Sequence, residues 1–454
     1  MHGDRLPGPR GLAQLAVLRG LLSDPQPALD RLRESYGPNS DLGFGPVRMA
    51  IVGDPTSLRD LFAMPTESFR WGHKFNVLGF VVGNESLIVS DGDDHRRRRS
   101  SVQAAFNRRR LNGWIPTIIE QTDAAVDGLT VTDGAMIDLY PIARRMVLEV
   151  TVRAFFGERF ADRATEIGEL FQRPQDYLES TAIRQFPHPF PGTKRSRVRA
   201  DRRALDAMID EAIAQIRRAP SGDPLDVLEA LTIEGVLSDS EIRDQVVTLI
   251  GAGYDTTSAS LSWMLWRCAA TPGIWSRLRS EADDVFGTLG GATGDATTTR
   301  DHTLLARLEL AHRVMRETLR LHPAGVISPR EAAIDLKMGD HEIRKGTLVL
   351  WSAYLAGRDP ECWPDPLGFD PDRFVSLTAE QSDIADAAWV PFGRGPRNCI
   401  GFALAQMELT LMISRLAQRL DVTPTSSVLP RPVGMVVNRP AGGVQMLVRT
   451  RGPR

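Results

Sequence analysis

The stretch PFGRGPRNCIG at residues 391–401 constrains this chain more than any other. Three glycines, two arginines and two prolines surround one cysteine, Cys399, and offer almost nothing that a hydrophobic core could use. A helix-like apolar run, GFALAQMELTLMISRLAQRL, begins at Gly401. Gly393, Gly395 and Gly401 permit tight turns and close approach of backbone to a bound surface. Cys399 stands at the start of the run 400–420, so its sulfur faces free N–H groups and the positive end of a helix. That setting lowers a thiol pKa and favours the thiolate, the form that binds metal. Arg394 and Arg397 balance the charge of an anionic ligand lying over the loop. A lone cysteine is most often a small buried hydrophobe, but the glycines and arginines around this one make that reading weak.

Only Cys268 and Cys362 accompany it. Three cysteines make no disulfide framework and are too few for a four-thiolate cluster or a closed zinc site. A reducing, cytoplasmic setting is the expectation. The charges nearly cancel, 55 basic against 57 acidic, so no global field points to nucleic acid or an acidic polymer. At the N-terminus LAQLAVLRGLL (12–22) is interrupted by Arg19. A bilayer span needs about 20 mostly apolar residues, and no signal-peptide cleavage site follows. The segment could lie on a membrane surface, but a helix packed on its own protein is the stronger expectation.

The remaining punctuation outlines the organisation. LPGPRG (6–11) refuses helix, because each proline fixes its φ. SDLGFGPVRMAIVG (40–53) reads as a short hairpin. From about 94 to 290 apolar residues recur at three- and four-residue spacing, as in RRALDAMIDEAIAQIRR, and predict helices. QFPHPFPGT (185–193) is a break that no helix crosses. Strand-like pieces occupy 325–351, and a long irregular segment, 357–398, leads to the final helix. With 454 residues, no internal repeat and no long linker, the chain reads as one large, mainly helical fold with a smaller β-rich portion.

Phe392, Gly395, Arg397, Cys399 and Gly401 together resemble the haem-binding loop of the cytochrome P-450 family, at every position and with its spacing. The resemblance implies a mainly α (α+β) fold: a single triangular-prism domain over residues 1–454. Residues 1–70 and 324–356 would contribute a β-rich lobe, and 94–320 with 400–420 a helix-rich lobe. Haem would lie between the oxygen-binding helix and the helix after the cysteine. Cys399 is then the thiolate ligand of a haem b iron, pushing electron density that favours O–O cleavage.

Three further stretches join the resemblance. VTLIGAGYDTTSASLSWML (247–265) reads as a buried helix, yet Gly251 and Gly253 each cost about 1 kcal/mol there. Thr256 and Thr257 can bond back to carbonyls one turn earlier. The stretch is similar to the family's oxygen-binding groove, with Ala252 at the cofactor and Asp255 and Thr256 as the acid–alcohol pair that relays protons. In RETLRLHP (316–323), Glu317 and Arg320 share a helix face. The stretch looks like the family's Glu-x-x-Arg, with Arg373 of FDPDRF as third partner, a structural triad for stability and haem retention. In DGDDHRRRRSSVQAAF (91–106), His95 and Arg99 match an i, i+4 pair aimed at haem propionates. Arg330 and Arg397 would complete that set.

The implied reaction is O₂-dependent hydroxylation of an apolar molecule, such as a fatty acid, terpenoid, steroid or polyketide. Electrons would come from a separate ferredoxin and its reductase, since no flavin-binding extension follows Cys399. The leftover arginines, 96–98 and 108–110, would attract an acidic donor. No nucleic acid partner and no transmembrane anchor are expected, and the protein is taken as a monomer. The pocket walls would come from 71–83, 170–190, the helix near Ala252 and AGVIS at 324–328. Two rivals remain: a haem-thiolate enzyme that uses peroxide, and a non-catalytic haem-binding sensor or carrier.

Overall fold

A computed structural model describes residues 5–43, 48–71, 77–129, 134–180, 185, 190–221, 226–287, 303–339, 341–434 and 436–451. Its spine is the helix Asp239–Ala270, 32 residues long, or about 48 Å at 1.5 Å per residue. Ser238 and Glu241 start it with a reciprocal capping box. Gly251 and Gly253 do not end it, because burial along most of its length outweighs their poor propensity. Hydroxyls repeatedly return to carbonyls one turn back: Thr256 to Ala252, Ser258 to Tyr254, Ser260 to Thr256 and Ser262 to Ser258.

The helices Leu139–Phe156 and Phe402–Arg419 pack on this spine. Val147, Val150, Ile250, Leu261, Leu411 and Met412 are among the buried residues of the single large apolar cluster that joins them. The periodic stretch 202–218 lies in the helix Lys194–Arg218, capped by Thr193. The helix Ala164–Leu178 lies ahead of it, and neither of these two crosses the proline-rich break. Of that break, residues 186–189 lie outside the described residues.

A five-stranded sheet runs in the order Asn39–Asp41, Met49–Val52, Leu348–Trp351, Ser328–Ala332, Phe69–Arg70. The first two are the hairpin read from 40–53, pairing Ser40 with Ile51; its turn, 44–47, lies outside the described residues. Met49–Val52 and Leu348–Trp351 run parallel, Ala50 facing Val349. Alternate side chains point to opposite faces, so Ala50, Val52 and Val349 enter one apolar cluster and Ile51 and Leu350 another. Burial on both faces explains why MAIV and LVLW are unbroken apolar runs.

The structure departs from the sequence reading in three places. The segment 357–398 is not wholly irregular: Thr378 and Gln381 cap a helix at Ala379–Ala388. A second sheet joins Met136–Asp138, Gln445–Thr450 and Leu420–Pro424; its central strand buries Met446 and Val448 alternately, a signal too short to stand out. The N-terminal helix Leu12–Ser23 does pack on the helix Pro25–Tyr36. It buries only Leu21 fully, however, and leaves Leu12 83%, Leu15 44% and Leu22 61% exposed.

Candidate functional site

The cysteine loop folds back on itself. Cys399 N donates to Phe392 O at 2.8 Å, and Gly393 and Gly395 turn it at φ 64° and 71°. A Cβ on Gly395 would meet the Phe62 carbonyl oxygen at 2.8 Å, so that turn excludes any side chain. Phe392 packs edge-on against Phe402 at 5.0 Å. Gly401 is the N-cap and the helix proper starts at Phe402. The Gly401 N–H and Arg99 both draw the Cys399 thiol toward ionisation, but burial is the larger effect and pushes it up. The sequence expectation of a lowered thiol pKa is therefore corrected: the helix start alone does not make the thiolate, whereas a coordinated metal would deprotonate it. Cys399 is also open on one side, although set deep among protein atoms. Ala252, in the middle of the buried spine helix, is exposed as well. Both therefore border open space inside the fold.

Beside the loop lies a concentration of cations. His95, Arg98 and Arg99 come from the helix Gly92–Ala105, Arg330 from the central sheet and Arg397 from the loop itself. Arg99 donates to Asn398 O at 2.9 Å and to its Oδ1 at 2.5 Å. Arg397 reaches Ser90 O at 2.6 Å and Asp91 Oδ1 at 3.2 Å. The guanidinium of Arg330 is ringed by Phe69, Phe62 and Trp71 at 4.9, 5.1 and 5.5 Å. Burial, with Arg397 and Arg99 nearby, pushes His95 down to about 3. Burial pushes Arg330 and Arg397 each down to about 10, with Arg397 adding to the effect on Arg330. His95 Nε2, Arg330 Nε and Arg397 Nε are buried with no hydrogen-bond partner among the described residues. Buried polar atoms without partners are costly, the two guanidinium groups most of all, since His95 is neutral. The set suits an anionic group, and the residues present fit a haem with its two carboxylates. Arg98 belongs to a different contact, donating to Glu241 at 2.9 Å.

On the spine helix, Thr256 Oγ1 donates to Ala252 O at 2.5 Å and is half-buried. Asp255 is 2% exposed and turned toward other elements. Arg144 Nη1 lies 3.7 Å from its Oδ1 and Arg439 Nη1 4.0 Å from its Oδ2. Burial raises the Asp255 pKa, and Arg439 and then Arg144 oppose the rise. Tyr254 faces the same way: its hydroxyl accepts from Arg144 Nε at 3.0 Å. Glu179 Oε1 accepts from Val437 N at 3.0 Å and stands 3.9 Å from Arg439.

Glu317, Arg320 and Arg373 meet in the interior. Arg320 donates twice to Glu317, both at 2.8 Å, and Arg373 Nε donates to Glu317 Oε1 at 2.9 Å. Arg320 also holds the carbonyls of Gly357, Pro366 and Gly368 at 2.6, 2.7 and 2.9 Å.

Sequence reasoning placed Trp71 only in a pocket wall and missed Asn398, Arg144 and Arg439, which touch these groups. Arg144 and Arg439 lie in YPIARRM and VNRPAG, and nothing in those stretches marks them. Of the expected pocket walls, residues 72–76, 181–184 and 186–189 lie outside the described residues. Val326 is buried in the core rather than open to a cleft, at 1% exposure. Asn438 N donates to Ala324 O at 2.9 Å and its carbonyl accepts from Trp263 Nε1. These bonds bring the 324 segment and the C-terminal hairpin Pro432–Val433/Arg439–Pro440 together beside the spine.

A cysteine bordering an internal opening, next to buried guanidinium groups of Arg330 and Arg397 whose Nε atoms find no partner among the described residues, defines a protein built to hold an anionic metal cofactor. The chain belongs to the cytochrome P-450 family, whose model matches residues 7–447, and it is a monooxygenase of that family. It is 33% identical over 439 residues to a protein of Mycobacterium tuberculosis described as cytochrome P-450 139, covering 94% of this chain and 98% of that one. It is 30% identical over 402 residues to the cyclooctat-9-en-7-ol 5-monooxygenase of Streptomyces melanosporofaciens, covering 86% and 83%. The solved cyanobacterial CYP120A1 with bound retinoic acid shares the fold at TM-score 0.85 and 24% identity, covering 99% of this chain and all of that one. The family implies a cysteine-ligated haem. Among the described residues no helix is long and apolar enough to cross a membrane.

Proposed function

We propose that this monooxygenase inserts one oxygen atom of O₂ into a terpenoid-like apolar substrate, with electrons from a separate ferredoxin and its reductase. The observation that carries the reading is that Cys399, in the loop that leads into the helix Phe402–Arg419, and Ala252, on the spine helix packed against that helix, are both exposed within the fold, with Thr256 one turn on from Ala252. Terpenoids are favoured among apolar substrates by the relative named for cyclooctat-9-en-7-ol. Bound haem, as haem b, supplies the site where O₂ is reduced and split. Cys399 ligates its iron, and Phe392, Gly395 and Gly401 shape the loop against it. His95, Arg99, Arg330 and Arg397 hold its carboxylates. Asp255 takes and gives a proton at its carboxylate, and Thr256 offers one at Oγ1 next to the Ala252 carbonyl. Glu317, Arg320 and Arg373 support the segment before the cysteine loop. The proposed setting is cytoplasmic, in keeping with three free cysteines.

The test is an optical titration of the haem-loaded protein with terpenes, steroids and fatty acids. A terpenoid that moves the haem band toward the high-spin form, and is then hydroxylated with ferredoxin and reductase, supports the reading. Turnover with peroxide but never with the electron-donor pair would overturn it.

A further inference from the structure

The N-terminal helix Leu12–Ser23 wears its apolar side outward. At 100° per residue, Leu12, Leu15, Ala16, Arg19 and Leu22 fall within an arc of about 120°, and all five are exposed. Leu12 is 83% and Leu22 61% exposed. The side turned inward carries Val17 and Leu21, which pack with Leu29 and Leu32 of the next helix. A helix that is apolar all round belongs inside a protein or against lipid, and here the outer arc has no cover among the described residues.

Charge says what covers it. The helix has no acidic residue. Arg10 precedes it and Arg19 sits within the outward arc, both exposed. At its other end Arg431 Nη1 lies 3.5 Å from Asp24 Oδ2, with the Arg431 side chain 67% exposed. Two and three residues before Arg431 are Leu429 and Val428, 40% and 74% exposed, so further apolar surface adjoins the same end. Leucines flanked by arginines on one outward face match a helix lying in the plane of an anionic bilayer surface. A second copy of the chain fits less well. Three leucines and a valine offer a few hundred Å², against roughly 800 Å² per partner in a stable dimer.

We propose that the face formed by Leu12, Leu15, Arg19 and Leu22, extended by Val428 and Arg431, docks the protein reversibly on anionic phospholipid. This does not depend on the substrate or electron donor proposed above. The experiment is flotation of the purified full-length protein with vesicles of equal parts phosphatidylcholine and phosphatidylglycerol, and with phosphatidylcholine alone. The protein should float with the mixed vesicles at low salt and much less with the neutral ones. Leu12→Ser/Leu15→Ser/Leu22→Ser should weaken that binding on the order of tenfold or more, and Arg10→Gln/Arg19→Gln should reduce its salt dependence, both with the wild-type melting temperature. Wild-type protein that stays at the bottom with both vesicles overturns the proposal. So does equal flotation of the triple-serine variant. A solution dimer that the serine substitutions dissociate would assign the face to a second copy instead.

Discussion

Arg330 and Arg397 approach the same indole: their guanidinium carbons lie 5.5 and 3.9 Å from the ring centroid of Trp71. Burial dominates the depressed pKa of each, and Arg397 makes the Arg330 charge harder still to keep. Two buried cations on one aromatic surface are a standing strain that an anion between them would relieve.

A substitution at Arg330 should therefore act in opposite directions on the two forms of the protein. With its folded pKa below the ordinary value, Arg330 opposes folding of the haem-free protein at neutral pH, and that penalty fades as pH rises past about 10. Arg330→Met should leave the haem-free melting temperature unchanged or raise it by roughly 1–3 °C, while haem is lost faster to an acceptor protein. Lower stability in both forms would show that Arg330 is structural only.

Glu408 offers a pH test away from the site. It is buried on the helix Phe402–Arg419, its Oε1 has no partner among the described residues, and burial pushes its pKa up to about 8. A raised carboxyl pKa means the folded protein holds a proton that the unfolded chain releases. Stability from this group is full below pH 4.5 and is lost as pH rises to about 8. Glu408→Gln should flatten that slope in melts across the window. An unchanged slope would mean that Glu408 is ionised in the fold.

Breaking the interior triad should be severe. Glu317 and Arg320 have fully buried side chains, and removing one partner of such a pair costs about 3–5 kcal/mol. Glu317→Ala should fold poorly and retain little haem, and Arg373→Ala should be milder, since Arg320 still pairs with Glu317. Equal expression and haem content in the Glu317→Ala variant would contradict this.

Thr256→Ala removes one hydroxyl from the spine helix without touching the cation cluster. Substrate should still shift the haem band with its usual affinity, while product per electron pair falls several-fold and peroxide is released. Loss of substrate binding in step with turnover would assign Thr256 to the pocket wall instead.

How far such features can be read from sequence depends on how local they are. The spine helix and the helix after Cys399 carry their periodicity in one continuous stretch, and the 40–53 hairpin carries its turn residues with it. Glu317 and Arg320 sit three apart, so any helix there brings them together. The neighbours of Asp255 were illegible because Arg144 and Arg439 lie 111 and 184 positions away, where no spacing rule reaches. Trp71 was illegible for a similar reason, since its use depends on which cations the tertiary fold sets against it. The outward leucines of the first helix could not be told from core leucines, because periodicity shows that a face exists and not what meets it.

Arg320 has a consequence for how freely this chain can vary. Its guanidinium grips the carbonyls of residues 357, 366 and 368, and every amino acid brings a carbonyl. The path through this segment is thus specified by a side chain that cannot tell one residue type from another. Identities between 358 and 367 are open to drift wherever they meet no other contact, whereas Gly357 is held, because a Cβ there would lie 2.2 Å from Arg320 O. Length is not open to drift: one inserted residue would slide the carbonyls out of register with a fork of fixed shape. At its exposed positions the segment accepts substitution but not insertion, whereas Asp359 and Trp363 are held by their own burial and bonds.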